Sequence, residues 1–66
     1  MGTLYIDRKE LELKVDGRAI AFYAGKKREG VVPIAPLKRV IVVGNIKLEA
    51  SVVHKLAASY ISVIFL

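Results

Sequence analysis

Polar and apolar residues alternate without a fault from Glu10 to Asp16, which is the period of a strand with one buried face. The following Asp16-Gly17 favours a two-residue type I′ turn, because both central residues of that turn need positive φ. Such a turn would pair Leu13 with Ile20, and directly opposed residues share a face. We therefore predict a β-hairpin with one apolar side, made of Leu11, Leu13, Val15, Ile20 and Phe22.

The other apolar segments predict further short strands. These are Thr3–Ile6, Val31–Ala35, Arg39–Val43 and Ile61–Leu66, with a short strand or corner around Ile46 and Leu48. Pro33 indicates an edge strand or a bulge, since proline cannot donate to a sheet ladder. Gly25–Gly30 is predicted as a loop, and Pro36–Lys38 as a single helical turn that begins at proline.

One helix is expected before the last strand. Ser51 is a good N-cap, because its hydroxyl can accept from an unpaired backbone N–H. The apolar positions behind it recur at helical spacing. They are Val52, Val53, Leu56, Ala57 and Tyr60. The pattern as a whole predicts a mostly β (α+β) fold, a small two-sheet β-domain with hairpins and one short α-helix over about residues 51–60.

Size and composition limit what this domain can be. A chain of 66 residues buries only about 60% of its unfolded surface, so its own stability is modest. It has no cysteine, which excludes disulfides and Cys-ligated metals, yet 55% of its residues are hydrophobic. We expect part of that apolar surface to pack against another copy or against the rest of a longer protein. The final apolar stretch Ile61–Leu66 stops without a turn or polar tail, which favours a fragment.

No targeting or membrane segment is predicted. The longest apolar run, Ile61–Leu66, is far shorter than the ~20 residues that a membrane-spanning helix requires. Charges at Asp7, Arg8 and Lys9 interrupt the N-terminal stretch before any apolar core that a signal peptide would need. A cytoplasmic protein without a membrane partner is expected.

Motifs for catalysis are missing from the sequence. Gly44-Asn45 has neither the GxxxxGK[ST] nor the GxGxxG spacing of phosphate-binding loops, so it is interpreted as a corner. His54 is the single histidine and is expected to be a structural residue rather than a ligand or base. Glu10 and Glu12 share a strand face with Lys14, which is typical of a solvated surface rather than an acid pair. We predict no catalytic, cofactor or metal site in this segment.

The formal net charge of +5 suits either a polyanionic partner or simple solubility. Turn positions carry several of the basic residues, and cations at such positions suit contacts with phosphates. The candidate nucleic-acid contacts are Arg8, Lys9, Lys26, Lys27 and Arg28. On the residues alone, a solvated basic surface and an autonomous β-domain that binds RNA or DNA without sequence specificity both stay open.

The order of the segments carries a more specific signal. It runs from Leu4-Tyr5-Ile6 through Val32-Pro33-Ile34 and a strand ending at Gly44 to a helix with Leu56-Ala57 and the terminal Val63–Leu66. Over essentially the whole chain this order resembles the N-terminal β-domain of the CRISPR-associated integrase, the spacer-acquisition endonuclease of the adaptation module. One departure is Tyr60, where the family commonly has glycine at the end of the helix. A left-handed residue there, or a different helix end, is expected.

The resemblance implies a larger parent with two domains. The N-terminal domain, here residues 1–66, would be structural and would form a homodimer. A helical domain after Leu66 would hold a metal-dependent nuclease and integrase site of Glu, His and Asp with Mg²⁺ or Mn²⁺. His54 does not inherit that role. The parent would act with DNA and a second CRISPR adaptation protein to insert spacers, and in some members a residue of this domain abuts the duplex end, for which Asp7-Arg8-Lys9 is the matching turn.

Overall fold

The computed structural model describes residues 2–66. Within them the chain forms seven strands and one helix. In chain order these are β1 (Thr3–Asp7), β2 (Leu11–Asp16), β3 (Ala19–Ala24), β4 (Lys27–Pro33), β5 (Arg39–Val43), β6 (Lys47–Leu48), α1 (Ala50–Ala58) and β7 (Ser62–Phe65).

The strands form two sheets. One has the order β4-β3-β2-β6, in which β2, β3 and β4 are antiparallel neighbours and β6 joins β2 in parallel. The other has the order β1-β5-β7 and is parallel throughout. The prediction of a mostly β, two-sheet fold with one short helix is confirmed.

The predicted hairpin forms as β2 and β3, but its register was wrong by two residues. Leu13 pairs with Phe22 rather than Ile20, and Asp16 pairs with Ala19 rather than lying in the turn, so the turn residues are Gly17 and Arg18. Gly17 has φ 62°, which fits a type II′ turn, where glycine takes the first central position. A shift of two residues preserves the side-chain alternation. The predicted apolar face is therefore retained.

The predicted loop over Gly25–Gly30 was also wrong. Gly25, with φ 64°, and Lys26 form a tight turn, and β4 begins at Lys27. The first half of β4 is polar and exposed, so hydrophobic periodicity gives no sign of the strand there. Pro33 ends β4 at the sheet edge, beside Ala19. The expectation of an edge strand at proline is thus confirmed.

The helix begins one residue earlier than predicted, and its cap is not Ser51. Glu49 is the N-cap residue and makes no side-chain capping bond, while Ser51 lies inside the first turn. The Glu49 N–H donates to the Leu13 carbonyl at 3.5 Å, so attachment to β2 sets where the helix starts. Of the predicted apolar helix face, only Val52 and Leu56 are buried.

The helix ends in a Schellman arrangement. The Tyr60 N–H donates to the Ala57 carbonyl at 3.0 Å, and the Ile61 N–H to the Leu56 carbonyl at 2.9 Å. Tyr60 has φ 57°, which costs a non-glycine residue about 1–2 kcal/mol. Tyr60 therefore adopts the left-handed conformation, one of the two alternatives expected from the sequence, and it lies outside the helix.

The connection before β5 is a turn rather than the predicted helical turn. The Leu37 N–H donates to the Ile34 carbonyl at 2.9 Å, which closes a β-turn around Ala35 and Pro36. The side chain of Ile34 is buried. This buried anchor, together with proline, favours a single turn between the two sheets.

The core lies between the inner faces of the two sheets and the buried side of α1. Its fully buried side chains are Leu13, Ile20, Val40, Val42, Val52 and Leu56. Each sheet therefore keeps one outer face, and the two outer faces are chemically different.

Candidate interaction surfaces

The outer face of the parallel sheet is apolar. Tyr5, Ile41 and Ile64 form one cross-strand row, because Ile41 pairs with Tyr5 on one side and with Ile64 on the other. The Leu66 N–H donates to the Val42 carbonyl at 2.9 Å, which continues the pattern of β7. We call this surface the parallel face. Its members are Tyr5, Ile41, Val43, Ile64 and Leu66.

Much of the parallel face is open to solvent. Tyr5 is 59% exposed, Ile64 42% and Leu66 77%. Parallel sheets are almost always covered on both faces, because their strands are apolar on both sides. Here the described residues cover only the inner face. The exposed apolar side chains of the outer face are typical of a surface that contacts another protein surface.

Opposite charges stand at the two ends of the parallel face. Arg39 pairs with Thr3 where the strands begin, and Asp7 pairs with Val43 where they end. Both side chains are exposed. Within residues 2–66 the ion pairs are Arg8–Glu29 and Arg28–Asp16, so neither end charge is neutralised by an ion pair there.

The outer face of the antiparallel sheet is adapted to water instead. The Lys14 Nζ lies 5.3 Å from the centroid of the Tyr23 ring, within the range of a cation–π contact. The Arg28 Nη2 lies 2.7 Å from the Asp16 Oδ2. Long charged side chains thus cover much of this face, and Ala21 beneath them is fully buried.

The five predicted nucleic-acid contacts lie on turns and on the edge strand β4. Arg8 and Lys9 follow β1, whereas Lys26, Lys27 and Arg28 belong to the β3–β4 turn and the start of β4. The pairing of Leu11 with Ala24 brings the two turns to the same end of the domain, which we call the turn end.

Acidic side chains share the turn end with these cations. The Arg8 Nη1 lies 3.1 Å from the Glu29 Oε1, beside a cleft of about 220 Å³ whose lining includes Tyr5, Leu11 and Phe22. Lys9, Lys26 and Lys27 are exposed. The structure therefore brings the predicted residues together, except Arg28, which is bonded to Asp16 across the sheet.

A second basic group lies at the opposite end and was missed from the sequence. The Ile34 N–H donates to the Arg18 carbonyl at 3.0 Å, and the Ser62 N–H to the Lys38 carbonyl at 3.2 Å. Arg18 and Lys55 line a shallow pocket of about 200 Å³ with Ile34, Ala35 and Ser59. We call Arg18, Lys38 and Lys55 the basic end. Only the fold brings these residues together, so no local motif predicts them.

Nothing among the described residues resembles a metal centre. Within residues 2–66 no three His, Asp or Glu side chains come together as potential metal ligands. His54 is exposed on α1. In the same part of the chain, no helix has the length and apolar character required to cross a membrane.

Comparison with known families decides the assignment. The family model for CRISPR associated protein Cas1 matches residues 4–66. The chain belongs to the Cas1 family. The resemblance inferred from the order of its segments is therefore confirmed.

A curated relative and two solved structures agree with this assignment. The "CRISPR-associated endonuclease Cas1 1" of Thermodesulfovibrio yellowstonii is 53% identical over 66 residues, which are 100% of this chain and 21% of that protein. A CAS1 protein from Thermotoga maritima superimposes with a TM-score of 0.82 at 20% identity, over 98% of this chain and 20% of that one.

The third match is a partial Cas6-RT-Cas1–Cas2 complex, with a TM-score of 0.86 at 17% identity, over 98% of this chain and 20% of that one. At these identities the two solved structures support the fold alone. The chain spans about a fifth of the length of its Cas1 relatives.

Proposed function

We propose that this segment is the structural, non-catalytic N-terminal part of a CRISPR adaptation protein and that it joins two copies of its parent. The parent would be a metal-dependent DNA endonuclease and integrase that inserts spacers into CRISPR arrays. Family membership and a relative named as a Cas1 endonuclease support this proposal.

The observation that carries the dimerisation role is the parallel face. An exposed contiguous apolar surface is unusual on a monomer and marks an interaction site. A second copy is the occupant that the end charges favour. In an isologous contact each patch meets its own copy about a two-fold axis. If that axis runs across the strands, Arg39 of one copy approaches Asp7 of the other at both ends of the interface.

The catalytic chemistry is assigned to the rest of the parent. The described residues 2–66 hold no cluster of potential ligands, so they do not fit a catalytic Mg²⁺ or Mn²⁺ ion, which needs several oxygen ligands. We derive no catalytic step from this segment. The metal site would lie in the helical domain that the family resemblance implies.

A second adaptation protein is the proposed protein partner of the parent. The support is the fold shared with a chain of a complex named for Cas1 and Cas2. We expect that partner to be recruited by the dimeric parent.

The turn end is a proposed secondary contact with DNA, through Arg8, Lys9, Lys26, Lys27 and Arg28. Two of these side chains, Arg8 and Arg28, are already in ion pairs. Binding through this end is expected to be weak, indifferent to sequence and strongly weakened by salt, because phosphate contacts release counterions. Tight sequence-selective binding by the segment alone would favour an autonomous nucleic-acid-binding domain instead.

Cleavage assays test the non-catalytic role. The complete gene product with Mg²⁺ or Mn²⁺ is expected to cleave or integrate DNA. Its His54→Ala variant should keep that activity, because among residues 2–66 His54 belongs to no group of three potential metal ligands. Residues 1–66 alone should be inactive. Metal-dependent cleavage by the segment, lost on His54→Ala, would contradict the proposal.

A further inference from the structure

We propose that the basic end is a nucleic-acid site, in which Arg18 and Lys55 hold a backbone phosphate, Lys38 adds positive charge to the same end of the domain, and Tyr60 stacks on a neighbouring unpaired base. This inference rests on the proposed function, in which the parent acts on DNA. The proposed site lies at the opposite end of the domain from the turn end.

Positive charge is distributed unevenly between the two ends of the domain. In the half of the domain that contains the turn end, acidic and basic side chains nearly balance. Five carboxylates, Asp7, Glu10, Glu12, Glu29 and Glu49, face six cations, Arg8, Lys9, Lys26, Lys27, Arg28 and Lys47, which leaves a charge of +1. The remaining +4 of the formal net charge of +5 therefore lies outside that half. Among residues 2–66, the one carboxylate that strand pairing brings to the basic end is Asp16, which already lies 2.7 Å from Arg28.

The fold fixes the positions of the three cations. The β2–β3 turn carries Arg18, and the bond from the Ile34 N–H to its carbonyl ties this turn to the connection before β5. Lys38 directly precedes β5, and its carbonyl accepts from the first residue of β7. Lys55 lies in the last turn of α1. Two connections and the last turn of α1 thus bring basic residues to one end of the molecule.

The pocket between Arg18 and Lys55 has donors suited to a phosphate. A guanidinium can donate two parallel hydrogen bonds to phosphate oxygens, and an ammonium adds a point charge. The Ser59 hydroxyl, which also lines the pocket, can supply a further donor. The pocket is shallow and open, about 200 Å³, which suits a passing strand better than an enclosed small molecule.

Tyr60 is the aromatic residue next to this pocket, and its ring is available to stack on a base. It follows Ser59 directly and is 95% exposed, so its ring contributes little to the core. It also occupies a left-handed position, φ 57°, where glycine would be less strained. A strained, solvent-exposed aromatic residue next to cations is typical of surfaces on which unpaired bases stack.

Matched charge removals test the site in the complete gene product. The first variant is Arg18→Gln with Lys55→Gln, and the control is Lys14→Gln with Lys47→Gln, which removes the same charge from β2 and β6, where no DNA contact is proposed. Binding to a short fluorescent single-stranded DNA would be followed by anisotropy over a range of salt concentrations. The first variant should bind about tenfold or more weakly, with a salt slope lower by about 0.7 per lost phosphate contact. The control should change affinity much less.

Tyr60→Ala separates stacking from charge. It should weaken single-stranded DNA binding at least about fivefold and leave the salt slope and the affinity for blunt duplex DNA unchanged. Equal losses in the two paired variants, or no effect of Tyr60→Ala, would overturn the inference while the proposed function stands. If the unaltered gene product bound no DNA, both would fail. Melting curves for each variant check that the exposed substitutions leave the fold intact.

Discussion

The two sheets of this domain share one core but present opposite outer faces. On the antiparallel sheet, Lys14 lies over Tyr23 and Arg28 bonds to Asp16, so charged groups meet the solvent. On the parallel sheet the corresponding row is Tyr5, Ile41 and Ile64, and the charged residues of this face, Arg39 and Asp7, stand at its two ends. Both sheets satisfy the same folding requirement on their inner faces. We therefore attribute the difference in residue chemistry between the two outer faces to their contacts. The outer face of the antiparallel sheet contacts water, and in our proposal that of the parallel sheet contacts a second copy.

The largest expected effect comes from the core that the sheets share. Leu13 is fully buried, so Leu13→Ala should lower the free energy of unfolding by about 2–5 kcal/mol. Urea or thermal denaturation measures this loss, with Val31→Ala as a control because that side chain is 50% exposed and lies outside the proposed interface. A loss for Leu13→Ala no larger than for the control would contradict the assignment of the core.

The second largest effect is expected on dimer association, when one of the two end charges of the parallel face is reversed. Arg39→Asp or Asp7→Arg alone should weaken association about tenfold, because each substitution places like charges together across the two-fold axis. The double variant Arg39→Asp with Asp7→Arg should recover most of the affinity, since it restores opposite charges. Dissociation constants from analytical ultracentrifugation give the comparison. Losses that simply add in the double variant would rule out the proposed pairing.

A substitution at the end of the helix, away from both outer faces, is expected to increase stability. Tyr60 has φ 57°, so Tyr60→Gly should stabilise the fold by about 1 kcal/mol by relieving left-handed strain. Thermal unfolding reports the change. Val53→Gly in the middle of α1 is the matched control, and it should destabilise by about 0.5 kcal/mol, because glycine has a lower helix propensity than valine. A Tyr60→Gly variant that unfolds more easily than the unaltered chain would show that the ring contributes packing.

The smallest effect is expected on the antiparallel outer face. The Arg28 and Asp16 side chains are 45% and 53% exposed, so solvent screens their interaction. A double-mutant cycle with Arg28→Ala and Asp16→Ala should give a coupling free energy below about 1 kcal/mol. A much larger coupling free energy would mean that solvent does not screen this ion pair, which would contradict the description of this face as solvent-exposed.

The sequence predicted the apolar side of the β2–β3 hairpin because alternation survives a shift of two residues. It did not predict the register, since Asp16-Gly17 and Gly17-Arg18 are both acceptable turns and only the structure distinguishes them. The start of β4 was missed because polar residues dominate that edge strand. Ser51 was a reasonable cap by residue type, yet the bond from Glu49 to Leu13 fixes the helix start. Contacts between distant segments override local preference.

The candidate surfaces were less predictable than the strands. The pairing of β1 with β5 and β7 aligns Tyr5, Ile41 and Ile64, and no local pattern relates three segments so far apart in the chain. The pocket between Arg18 and Lys55 likewise depends on tertiary structure. The turn-end cations were found because they cluster in sequence, but the ion-pair partners of two of them lie on other segments, Glu29 for Arg8 and Asp16 for Arg28.

Sedimentation equilibrium of the complete gene product, at tens of micromolar, tests the central claim that the two outer faces differ in function. Ile64→Lys adds a charge to the parallel face, and Val31→Lys adds the same charge to an exposed position of the antiparallel sheet. The account predicts dimers for the unaltered protein and for Val31→Lys, and monomers for Ile64→Lys. A dimer that survives Ile64→Lys with unchanged affinity, or an unaltered protein that is monomeric, would contradict it.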